Sequence, residues 1–152
     1  MKELNFYHYT IESRIDEIIE SGEIRLASKS TYAKKEKPVA WVSSNEHWEN
    51  TATKMIMTYS GTKELTFEEQ LELHGCGRIE VKNSGLMTWA KLKHKANMDF
   101  HMAGLMENAG IRKGGKPSEW FGSLLPIKMN DWIKAELYKN GKWEVYKVFN
   151  QK

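Results

Sequence analysis

The chain has 152 residues, a net charge of +3 and one cysteine, with 28% charged and 40% hydrophobic residues. That length and apolar share suit one domain with a real core, and the sign-balanced charge argues against both a disordered tail and a strongly basic nucleic-acid binder. A lone cysteine, Cys76, excludes an intrachain disulfide, and no apolar stretch reaches membrane-spanning or signal-peptide length, so a reducing, cytoplasmic setting away from membranes is expected.

Leu4 to Tyr9 is short, aromatic and bounded by polar residues, which predicts a strand. Thr10 stands where a helix N-cap belongs, and Ile11, Ile15, Ile18 and Ile19 follow at helical spacing until Gly22 stops the run. Glu23 to Ser28 alternates and predicts a second strand; Lys29 to Lys37 is polar, without hydrophobic period, and predicts a loop. Pro38 to Ser44 predicts a strand buried on at least one face. Ser43 with Glu46 suggests a capping box and a short helix near Asn45, and Thr66 with Glu69 repeats that signature before a helix over Phe67 to Leu73. Ser60-Gly61-Thr62 breaks the chain between them.

Further on, Arg78 to Lys82 predicts a strand, and Thr88 caps a helix through Trp89, Leu92 and His94. A helix from Met98 to Asn108 is expected to end by Gly110, ahead of a glycine-lysine loop over Arg112 to Lys116. Trp120 to Ile127 predicts a strand closed by Pro126. Ile133 to Lys139 and Lys142 to Val148 flank Asn140-Gly141, the favoured two-residue hairpin turn because both positions tolerate positive φ. Strands and helices do not alternate strictly. The expectation for residues 1–152 is therefore a single α+β domain with a mixed, mostly antiparallel sheet, flanking helices and a C-terminal β-hairpin.

Few motifs carry chemistry. The five histidines are scattered without metal-ligand spacing, no glycine-rich phosphate loop is present, and nothing places a base beside Cys76. What remains is Tyr7-His8-Tyr9-Thr10, where alternation sets His8 apart from its tyrosine neighbours. An imidazole can donate at one nitrogen and accept at the other, which suits a ribose diol; it suits a backbone partner equally well.

A strand ending in His-x-Thr, an isoleucine-rich helix and then Gly22-Glu23-Ile24-Arg25 resemble the opening of ADP-ribosyltransferase-like domains. Pro38-Val39-Ala40-Trp41-Val42-Ser43-Ser44-Asn45, Trp48-Glu49-Asn50-Thr51-Ala52, Thr88-Trp89-Ala90 and Trp120-x-x-Ser123-x-x-Pro126 are similar to segments of a group of small prokaryotic and viral proteins that open with Tyr-His-Tyr-Thr. The resemblance implies NAD as substrate and a protein or nucleic-acid target, in the manner of a toxin or a phage–host conflict effector. It implies that His8 holds a ribose with Tyr9 and Thr10 beside it. Ser43 and Ser44 would offer hydroxyls to the nicotinamide amide, Asn45 and Trp48 would line the pocket, and Arg25 would meet the pyrophosphate.

That chemistry needs a carboxylate facing the positive charge that grows at the anomeric carbon. The inner position of the strand predicted over Trp120 to Ile127 is Leu125. Glu119, just ahead of that strand, is the best candidate for the catalytic acid; Asp131, beyond Pro126, and Glu49 are the other acids that could substitute, and none sits where the pattern expects one. Three readings follow: a transferase, a non-catalytic binder of NAD or a related nucleotide (sponge, sensor or inhibitor), and a protein-interaction domain in which His8 is structural.

Overall fold

The structure, a computed structural model, describes residues 3–27 and 35–151. Strand β1 (Phe6–Thr10) leads into helix α1 (Glu12–Ser21), β2 (Glu23–Ile24) and β3 (Ala40–Ser43). A 3-10 helix (Asn50–Ala52) precedes a hairpin of β4 (Met55–Thr58) and β5 (Gly61–Glu64), followed by α2 (Phe67–His74) and β6 (Gly77–Val81). Then come β7 (Met87–Thr88), α3 (Trp89–Lys95), α4 (Phe100–Arg112), β8 (Trp120–Ser123), β9 (Ile127–Lys128), β10 (Trp132–Lys139) and β11 (Lys142–Val148). Seven strands form one sheet in the order β11-β10-β6-β1-β3-β8-β7, with antiparallel ladders throughout. The small α+β domain with a mostly antiparallel sheet and four helices agrees with the expected class. Among the described residues, no helix is long and apolar enough to cross a membrane.

Phe6, Ile15, Ile24, Val42, Ile79 and Trp132 belong to the main core cluster, into which α1 packs Ile15. Tyr7, Tyr9, Trp48 and Cys76 build a second cluster, and Trp89, Ala103 and Trp120 a further one under α4. Alternation along β1 separates Phe6 from Tyr7 and Tyr9, so the central strand feeds both layers.

Several local signals act as expected. Gly22 closes α1 in the left-handed conformation at φ 77°, and Thr66 with Glu69 makes both bonds of the capping box. Thr88 caps α3. Asn140 and Gly141 take φ of 54° and 77°, the positive pair that turns β10 into β11.

Other expectations are corrected. Thr10 ends β1 instead of capping α1; Ile11 occupies the cap position and makes no side-chain cap bond. Ser43 and Glu46 form no capping box, because Ser43 stays in β3 and spends its hydroxyl on Glu49. The second predicted strand shrinks to β2, which leaves the main sheet to pair with β9. The loop over Lys29 to Lys37 falls partly outside the described residues. Helix α4 runs through Gly110 because the Trp120 indole rests on that glycine: a Cβ there would stand 2.5 Å from the ring. The strand predicted over Trp120 to Ile127 ends at Ser123, whose hydroxyl donates to the Leu125 carbonyl and accepts from the Leu125 N–H. Leu125 is 72% exposed beyond the strand, so it is not an inner position of that strand.

Candidate functional site

Strands β1 and β3 pair only at Tyr7 opposite Ser43. Had that ladder continued, Trp41 would face Tyr9. Instead the Trp41 carbonyl takes a hydrogen bond from His8 Nδ1 at 2.7 Å, and a cavity of about 380 Å³ lies beside the unpaired stretch. Both His8 and Tyr9 reach its wall, as do Trp41 and Ser43 of β3 and Trp120 of β8.

A carbonyl can only accept, so His8 carries its proton on Nδ1 and, when neutral, leaves Nε2 as an acceptor. Burial holds its pKa below the ordinary 6.5, opposed in part by the Trp41 carbonyl. The ring is neutral at pH 7. The unfolded chain therefore binds the proton more readily than the folded one. The stability this group contributes is complete above 6.5 and is lost as pH falls through that value toward the lower folded pKa. The expected result is a melting temperature that drops less between pH 7 and pH 5 in His8→Gln than in the unaltered chain. Parallel curves for the two proteins would contradict it.

The acid on the wall is Glu49, which is 7% exposed. Its Oε1 accepts from Ser43 Oγ at 2.8 Å. Oε2 accepts from the Thr51 N–H at 3.2 Å, Thr51 Oγ1 at 2.7 Å and Trp120 Nε1 at 3.2 Å. The same carboxylate caps the 3-10 helix. All four donors are neutral, and among the described residues no cation lies within ion-pair distance of Glu49. The Glu49 carboxylate is thus held in one orientation at the cavity wall by neutral hydrogen-bond donors alone.

The segment that carries Glu49 is tied down from beneath. Tyr9 donates its hydroxyl to the Asn45 carbonyl, and Arg78 donates to the Glu46 carbonyl at 2.6 Å. Trp143 Nε1 donates to the His47 carbonyl at 2.9 Å. Asn45 Oδ1 accepts from the backbone N–H groups of His47 and Trp48. Burial raises the Tyr9 phenol far above its ordinary range despite the Arg78 charge, so it stays a donor at neutral pH.

The residues singled out from the sequence divide here. His8, Tyr9 and Ser43 line the cavity. Asn45 and Ser44 sit behind it, bonded to the Glu119 side chain and carbonyl respectively. Trp48 is buried against Tyr9 and Phe67, with its indole N–H on Thr53. Thr10 lies opposite Gly77 at the end of β1, and Arg25 is exposed after β2. Glu119, in the 3-10 helix Pro117–Glu119 before β8, accepts from Asn45 Nδ2 at 3.3 Å and does not line the cavity. Cys76 is fully buried, its thiol pushed up to about 12 chiefly by burial and then by Glu12, so it is no nucleophile at neutral pH.

Sequence reasoning passed over Trp41 and Trp120 as wall residues and missed the whole contribution of α4. Met106, Ala109, Gly110 and Lys113 of that wall fall three and four apart, the spacing of one helix face. That spacing was the available signal. Among the described residues, no three His, Cys, Asp or Glu side chains gather in a way that would hold a metal ion. Compared with protein families, with curated proteins and with solved structures, the chain matches none.

Proposed function

We propose that this cavity is a nucleotide site of the NAD type and that the chain is an ADP-ribosyltransferase-like protein acting on a macromolecule. The observation that carries this reading is the convergence of His8, Ser43 and the buried Glu49 on one cavity beside the indoles of Trp41 and Trp120. Cleaving the bond between nicotinamide and ribose builds positive charge on the anomeric carbon. A fixed, desolvated carboxylate favours that charge more than it favours the ground state. His8 Nε2 accepts from a ribose hydroxyl, and the indoles give a flat ring apolar faces. The adjacency of β1, β3 and β8 supports the same reading, since it sets the strand of His8 beside the strand of Ser43 and that beside the strand that follows Glu119.

One observation favours a second reading, a binder of NAD or a related nucleotide that does not transform it. The Glu49 oxygens already accept four hydrogen bonds and cap a helix, as a purely structural acid would. Calorimetric titration with NAD, followed by measurement of released nicotinamide in the same samples, separates the two. Saturable binding that His8→Ala weakens at least tenfold, with release, is the expected result. Binding without release would select the binder, and absence of binding would leave neither.

A further inference from the structure

The cavity wall contributed by α4 ends in a cation. Lys113 is half-buried, lines the cavity and caps the helix, its N–H shared between the Ala109 and Gly110 carbonyls at 3.2 Å each. A lysine at a helix C-terminus complements the partial negative charge there, and that alone would account for a surface lysine. Two facts go further. Among the described residues, no carboxylate lies within ion-pair distance of Lys113, although Glu49 shares the same cavity. The backbone beyond it is also held in place: Gly114 takes φ of 92°, where a Cβ would stand 2.7 Å from Asn50 Nδ2, and the Gly115 N–H returns to the Gly110 carbonyl at 2.9 Å. The loop is thereby pressed on the 3-10 helix that follows Glu49, and Lys113 stays at the wall.

We infer that Lys113 is the anion-binding end of the cavity and takes the pyrophosphate of a dinucleotide. This rests on the nucleotide reading and sharpens it, because a nucleoside without phosphate would make no use of Lys113. It also moves the pyrophosphate contact from Arg25, which does not line the cavity, to the one lysine or arginine among the described residues that does. An ammonium meeting phosphate oxygens out of bulk water makes a charge-assisted hydrogen bond, among the stronger kinds.

The test is calorimetric titration of the full chain and of Lys113→Met with NAD, nicotinamide riboside and inorganic pyrophosphate at low ionic strength. The inference expects Lys113→Met to weaken NAD and pyrophosphate about tenfold or more and to leave the riboside within about twofold, with Lys113→Arg restoring NAD affinity. Undiminished NAD affinity in Lys113→Met, or an equal loss for the riboside, would overturn it while leaving the nucleotide reading intact. Lys113-dependent binding of pyrophosphate without binding of NAD would overturn the nucleotide reading and keep the anion site. Failure of NAD and of pyrophosphate alike to bind the unaltered chain would overturn both readings.

Discussion

Replacing Glu49 with glutamine is expected to lower nicotinamide release by about 10²–10³-fold while changing NAD affinity by less than about threefold. The geometry makes this substitution a clean one. The Thr51 N–H and the Trp120 indole N–H can only donate, and both address Oε2. The glutamine carbonyl oxygen takes that place, and the amide nitrogen then faces Ser43 Oγ, a hydroxyl that can turn to accept. Shape and the hydrogen bonds at the Oε2 position survive, while Ser43, which already accepts from the Asn45 N–H, loses its acceptor; the negative charge is gone. The melting temperature should therefore move little, and an effect on release without an effect on stability isolates the charge. Glu119→Gln run alongside distinguishes the two acids. Among the described residues, Glu119 has one side-chain hydrogen bond, from Asn45, and it does not line the cavity, so its loss is expected to cost far less. Release that survived Glu49→Gln but collapsed in Glu119→Gln would move the catalytic charge to Glu119. Unchanged release in both would remove carboxylate stabilisation from the mechanism.

What the sequence made legible was what short-range physics decides. The Asn140-Gly141 turn needs only two residues that tolerate positive φ, and the Thr66–Glu69 capping box needs only its own four positions. The acid of the site needed more. Glu49 is buried because Trp120, 71 positions away, donates its indole N–H to it, and no local pattern announces such a partner. Helix α4 overrode its glycine for the same kind of reason. A helical Gly110 costs about 1 kcal/mol relative to alanine, but it alone lets the Trp120 ring lie against the helix backbone. The β4–β5 hairpin escaped notice because Met55 to Thr58 is mostly exposed and carries no buried alternation. His8 stood out in the sequence, yet its placement depends on the early end of the β1–β3 ladder, which only the packed sheet determines.

Arg78→Met is expected to destabilise the domain by about 3–5 kcal/mol, and the reason ties the fold to the site. Arg78 is 7% exposed, and its guanidinium donates from Nε to Glu136 at 2.8 Å. It also stacks between two rings, 4.0 Å from the Tyr7 centroid and 4.4 Å from that of Trp143. Methionine keeps much of the apolar contact but leaves Glu136 buried with Lys134, 3.7 Å away, as the one remaining cation within ion-pair distance among the described residues. A buried charge stripped of its 2.8 Å partner and left with only the longer Lys134 contact is the large term, since a well-paired one roughly balances its desolvation against its attraction. Adding Glu136→Leu should therefore recover more than half of the loss, and the melting temperatures of the single and double variants measure this directly. At roughly 2–4 °C per kcal/mol for a domain of this size, the single variant should melt on the order of 10 °C lower. A double variant no more stable than Arg78→Met would show that the rings and the Glu46 carbonyl, not Glu136, are what Arg78 stabilises. In that case the damage would lie in the segment that carries Glu49, and NAD affinity measured well below the melting transition would fall in both variants alike. Recovery of stability with NAD affinity still reduced would assign Arg78 both tasks, neutralising Glu136 on one side and holding the site segment on the other.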